Sequence, residues 1–178
     1  ASKGEGLGNK FLSHIREVDA IVHIVRCFED PKIIHVDGDL DAVRDIEIIN
    51  TELILSDIES LERRIEKAEK QIRAIKDKKV LDEIEFMKVL SEHLSRGNPA
   101  RNYSCENDER ALIDSFFLLS SKPVIYAANI SEEKLGEEPE SIDYVKKVID
   151  YSNNERAPYI IISAEIEEQM RSFEEGGF

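Results

Sequence analysis

The residue types best suited to chemistry sit at the start of the chain and at the ends of two apolar runs. Gly4, Gly6 and Gly8 precede Lys10 in ASKGEGLGNKFL. A phosphate-gripping P-loop needs G-x-x-x-x-G-K-[ST], so that backbone N–H groups cradle phosphate and a hydroxyl holds Mg²⁺. Here Asn9 separates Gly8 from Lys10, and Phe11 stands where a hydroxyl is needed. The dinucleotide spacing G-x-G-x-x-G is also missed, and no strand precedes the glycines. Spacing alone therefore reads this stretch as a flexible loop leading into a helix. The second group is different. "ANISEE" carries Asn129 and Glu132, and "SAEIE" carries Ser163, Ala164 and Glu165. An amide at a strand tip can bond the edge of a ring, and a nearby carboxylate can accept from a ring N–H or amino group. The structural alternative is that Asn129 stabilises a turn and Ser131 or Ser163 caps a helix. Spacing leaves both open. Metal and thiol chemistry are disfavoured: His14, His23, His35 and His93 form no H-E-x-x-H pattern, and Cys27 and Cys105 form no CxxC. Both cysteines read as reduced thiols.

These residues need elements to position them. Asn9–Val18 reads as a helix, with Phe11, Leu12 and Ile15 on one face. DAIVHIVRCF (19–28), KPVIYAAN (122–129) and APYIIIS (157–163) read as strands buried on both faces. NDERALIDSFFLL (107–119) reads as a helix capped by Asn107 or Asp108, PESIDYVKKVIDYSN (139–153) as an amphipathic helix, and AEIEEQMRSF (164–173) as a last helix. Strands alternating with helices predict an α/β fold with a parallel sheet, whose ligands bind beyond the carboxyl ends of the strands.

Between the first two strands the pattern is different. Ile54, Ile58, Leu61, Ile65, Ala68, Ile72 and Ile75 alternate at spacings of four and three, a heptad seam. Val80, Ile84, Met87 and Leu94 make a second stripe, stopped by Gly97-Asn98-Pro99. Two antiparallel helices turning near Lys76–Lys79 are predicted. Across 63–79 eight basic residues face three acidic ones, a local charge of +5 in a chain of −14. Arg63, Lys67, Lys70 and Arg73 are the candidate partner-binding residues. The alternative is a solvated face held by i,i+4 ion pairs such as Glu66 with Lys70.

Composition sets the outer bounds. The 178 residues allow one ordinary domain, or a small one with an appendage, and 41% apolar content suffices for a core. A charge of −14 argues against general binding to free nucleic acid, free DNA included, or to an anionic membrane. No apolar run approaches a membrane span, and no signal peptide is recognisable, so a cytoplasmic location is expected.

The segment Ala1-Ser2-Lys3-Gly4-Glu5-Gly6 resembles the second half of the Obg-type GTPase signature that follows the switch II D-x-x-G. GLGNKFLSHIREVDAIVHIVRCFED, NTELILSDIESLERR, KPVIYAANISE and SAEIE are similar to the YchF branch of that family, also called the Obg-like ATPases. The resemblance covers nearly the whole chain. It implies that Gly4, Gly6 and Gly8 belong to the mobile segment beside switch II rather than to a P-loop. It implies a partial P-loop NTPase G domain with an inserted antiparallel two-helix coiled-coil arm. The parts are 1–42 and 99–178 for the G domain, the latter its base-binding half, and 43–98 for the arm. The guanine-reading N-K-x-D pattern matches Asn129, Ile130, Ser131 and Glu132, with the Lys-to-Ile and Asp-to-Glu departures of a branch that prefers or accepts ATP. Ser163, Ala164 and Glu165 match the S-A-K loop that flanks the base. Ile130 is expected to pack on the base, and Glu132 to clamp guanine poorly.

The resemblance also implies an ATPase or GTPase that uses Mg²⁺ and has the ribosome or ribosomal RNA as a partner, with the arm's tip as the alternative place of contact. The P-loop, the Mg²⁺ ligands and a TGS domain are expected outside these 178 residues. No catalytic or metal-binding residue is then expected within the chain, which alone would be inactive. The competing expectation is a non-catalytic binding module whose arm docks RNA or a protein.

Overall fold

A computed structural model describes residues 8–29, 40–72 and 77–176. Their elements in chain order are α1 (Gly8–Glu17), β1 (Ile21–Arg26), α2 (Ala42–Ile72), α3 (Lys78–Ser95), α4 (Asn107–Ser115), β2 (Val124–Asn129), α5 (Asp143–Glu155), β3 (Tyr159–Ile162) and α6 (Ala164–Gly176). They form two compact units. Ala20–Glu47 with Val124–Phe178 makes the sheet unit, and Ala1–Asp19 with Ile48–Pro123 makes the helical unit. α1 and the segment after α3 thus group with the long helices rather than with the strands.

In the sheet unit the strands run in the order β1-β2-β3, and both pairings are parallel. The α/β expectation holds. Val25, Val124, Tyr126 and Ala128 share a core with Ala42 and Ile46 of α2 and with Val145, Val148 and Ile149 of α5. Burial on both faces does not hold for β1 and β3. Side chains alternate across a strand, and the core helices meet the face that carries Val25. On the alternate positions Val22 and Ile24 are 57% and 59% exposed, and Ile160 is 46% exposed.

In the helical unit the heptad seam is realised. Ile54, Ile58, Leu61, Ile65, Ala68 and Ile72 share a core with Val80, Ile84, Met87, Leu90 and Leu94 of α3. The two helices run antiparallel, with Lys88 and Glu69 bridging them at 2.7 Å. Asp77 stands in extended conformation and accepts from the Lys79 N–H at 2.9 Å, which starts α3. Arg73, Ile75 and Lys76 lie outside the described residues. Gly97, at φ +82, ends α3 as the sequence predicts.

α4 departs from expectation at both ends. Its cap is Glu106, whose N–H donates to the Glu109 carboxylate at 3.1 Å. It stops at Ser115 rather than running to Leu119, because Phe117 takes a left-handed φ of +53. The chain beyond is held by a buried acid. Asp57, 2% exposed, accepts from the N–H groups of Leu119 and Ser120 at 2.7 Å each. Burial pushes its pKa up, while those bonds and the Arg16 charge oppose the rise.

Candidate functional site

The carboxyl ends of the three strands converge because Arg26 pairs with Asn129 and Asn129 with Ile162. The ladder runs one residue further: the Cys27 N–H donates to Asn129 O at 2.8 Å, and the Ile130 N–H to Ile162 O at 2.9 Å. The tips of β2 and β3 are then joined by a side chain. The Ala164 N–H donates to Asn129 Oδ1 at 2.9 Å. Ala164 is the first residue of α6, so Asn129 satisfies one of that helix's orphan donors from another strand. The backbone donor also fixes the orientation of the amide: its oxygen is engaged, and its remaining capacity at Nδ2 is as a donor.

Ser163, 6% exposed, sits beside this link, and its Oγ has no hydrogen-bond partner. Ile130 is 4% exposed and belongs to the core. Its side chain lies under the tip, so a ligand outside the core would meet its backbone. Glu132 is exposed and accepts from Gln169 Nε2 of α6 at 3.3 Å. Glu165, also exposed, lines a cavity of about 1110 Å³ with Phe28, Glu29, Glu132 and Asp143. There the Tyr144 hydroxyl donates to Glu29 at 3.0 Å. Cys27 also lines this cavity, but burial pushes its thiol up to about 12, so it stays protonated and a poor nucleophile. Among the described residues no cluster of three or more His, Cys, Asp or Glu side chains could hold a metal ion. No helix among them is long and apolar enough to cross a membrane.

The other candidates lie in the helical unit. Arg63, Arg64 and Lys67 line a groove of about 570 Å³ between α2 and α3, floored by Ala68, Val80 and Met87. Lys70 is exposed on α2. Gly8 opens α1 at φ +76, a conformation that suits glycine. Gly4, Gly6 and Arg73 lie outside the described residues.

No family model matches the chain. Individual relatives do. The chain is 44% identical over 174 residues to the ribosome-binding ATPase YchF of Bacillus subtilis, covering 98% of this chain and 47% of that protein. To Obg-like ATPase 1 of Saccharomyces cerevisiae it is 46% identical over 153 residues, covering 83% of this chain and 36% of that one. The solved structure of the Schizosaccharomyces pombe YchF GTPase superposes with a TM-score of 0.80 at 35% identity, over 97% of this chain and 47% of that one. The chain belongs to the YchF branch of the Obg-like ATPases. It spans about half the length of the curated YchF relatives it matches.

Of the sequence-predicted residues of this YchF-type chain, Asn129, Ser163 and Ala164 come together at the strand tips. Glu132 and Glu165 lie beside them on the cavity rim, and Ile130 turns inward. Sequence reasoning missed Gln169, Tyr144 and Asp57. Gln169 and Tyr144 are ordinary helix-surface residues in the sequence, and Asp57 falls inside a long charged helix. Their partners lie tens of residues away.

Proposed function

We propose that this chain carries the base-binding end and the arm of a P-loop nucleoside triphosphatase that hydrolyses ATP, with GTP as an accepted alternative. The observation that carries the reading is the 2.9 Å bond from Ala164 N–H to Asn129 Oδ1. It leaves the Nδ2 donor of Asn129 for an acceptor on a ring edge, and the N7 atom of either purine is such an acceptor. The unpartnered Ser163 Oγ adds a buried polar atom at the same tip. Glu132 and Glu165 are acceptor-only groups when ionised and suit amino or ring N–H donors.

Phosphoryl transfer relies on a phosphate cradle and Mg²⁺. The 178 residues contain no G-x-x-x-x-G-K-[ST], so turnover is proposed for the full-length protein and not for this chain alone. Mg²⁺ would enter with the nucleotide. A cytoplasmic protein that associates with the ribosome fits this reading, since the relatives' names include ribosome binding. A second reading, a binding module that needs no nucleotide, is favoured by the basic groove of Arg63, Arg64 and Lys67.

The test is a calorimetric titration of the full-length protein and its Glu132→Asp variant with non-hydrolysable ATP and GTP. The shorter carboxylate should shift preference toward GTP by about tenfold, the worth of one regained charge-assisted contact. No nucleotide binding by the unaltered protein would overturn the first reading. Ribosome pelleting that ignores nucleotide would favour the second.

A further inference from the structure

Phe117 is 78% exposed, yet Phe116, Leu118 and Leu119 around it are 2%, 1% and 0% exposed. Its φ of +53 lies in the left-handed region, at the position past a helix end where glycine is the usual residue. A phenylalanine there strains the backbone, and its ring buries little in return. Such a broken local rule points to function. The mount is fixed from both sides. The Phe117 N–H donates to Asp114 O at 3.2 Å, and Arg64 Nη2 donates to the Phe116 carbonyl at 3.2 Å. Just beyond, Asp57 holds the N–H groups of Leu119 and Ser120. The ring is therefore presented to solvent on a rigid backbone, one peptide plane from a guanidinium. That same Arg64 lines the basic groove with Arg63 and Lys67.

We propose that Phe117 is a stacking platform for an unpaired base of single-stranded RNA, with the neighbouring phosphates on Arg63, Arg64 and Lys67. The proposal rests on the reading that this protein associates with the ribosome. A flat aromatic face one residue from the carbonyl that Arg64 holds, with Arg63, Lys67 and a single carboxylate, Glu83, in the groove that Arg64 lines, matches the two surfaces of a nucleotide. An acidic peptide would need only the cations. An apolar protein surface would need more than one exposed ring, and the exposed residues that precede the buried Phe116, Asp114 and Ser115, are polar.

The experiment uses the full-length protein, a short labelled oligouridylate, a hairpin duplex and a polyglutamate peptide. Phe117→Gly suits the left-handed φ, so the fold is kept while the ring is lost. It should weaken oligouridylate binding about tenfold, within the range measured for one stacked base. Phe117→Leu should lose as much, and Phe117→Tyr should bind as the parent does. Oligouridylate affinity unchanged in the glycine variant overturns the proposal. So does a leucine variant equal to the parent, or equal binding by duplex or polyglutamate. Ribosome co-sedimentation separates the two levels. If the unaltered protein fails to co-sediment, the ribosome reading falls. If it co-sediments and Phe117→Gly changes neither assay, only the stacking site falls.

Discussion

Replacing Asn129 by aspartate separates the hydrogen bond it makes to Ala164 from the one proposed to a purine. An aspartate keeps an oxygen for the Ala164 N–H, now charge-assisted at the start of α6, so the local structure should hold or tighten. It has no donor for a purine N7. One neutral hydrogen bond would be replaced by two facing acceptors, at a cost of about 1–3 kcal/mol. That is about five- to 150-fold in affinity. Because N7 is common to adenine and guanine, ATP and GTP should weaken together and their ratio should stay constant. Asn129→Ala should weaken binding too, and should also free the Ala164 N–H at a cost of about 1 kcal/mol to the cap. Calorimetric titration of the full-length variants reads the affinities. Hydrogen exchange at Ala164 reads the cap, and protection there should persist in the aspartate variant and drop in the alanine one. Unchanged nucleotide affinity in the aspartate variant would leave Asn129 as a structural cap only. A loss confined to one nucleotide would mean that the donor meets an atom other than N7.

Asp57→Asn leaves one of the two N–H groups of Leu119 and Ser120 facing an amide, at about 1–3 kcal/mol. Burial raises the folded-state pKa of Asp57, so the folded state binds its proton more tightly than the unfolded one. The parent's advantage over Asp57→Asn should be full at and below about pH 4 and shrink as pH rises through the folded pKa. Urea denaturation of both proteins across pH checks this, and a difference that is flat or grows with pH refutes it. The open sheet face with Val22, Ile24 and Ile160 should make the 178-residue chain self-associate, and Ile24→Glu should reverse it. A monomer by sedimentation at high concentration counts against this. Charge reversal at Lys67 and Lys70 should flatten the salt dependence of ribosome association by about 0.7–0.9 in log–log slope per lost phosphate contact. An unchanged slope returns those lysines to a solvated face.

The sequence by itself determined the kind and order of the elements. Periods of two and of four-three are local properties, readable wherever a run is long enough. They predicted three strands in one parallel sheet, and the paired helices from Ile54 through Leu94. Local chemistry also marked the end of α3 at Gly97, and the matched segments carried the family. Tertiary structure decided what those periods cannot hold. Whether an apolar strand is covered on one face or two depends on which helices reach it, so Val22 and Ile24 read as core yet lie exposed. The SFFLL run reads as helix, but Asp57, far back in the chain, draws the segment into a turn and leaves Phe117 outside. Asn129 finds its partner at Ala164, 35 positions on, and Ile130 beside it turns inward. Hydrogen bonds and burial are made between residues that only folding brings together, and no window of local sequence contains both partners.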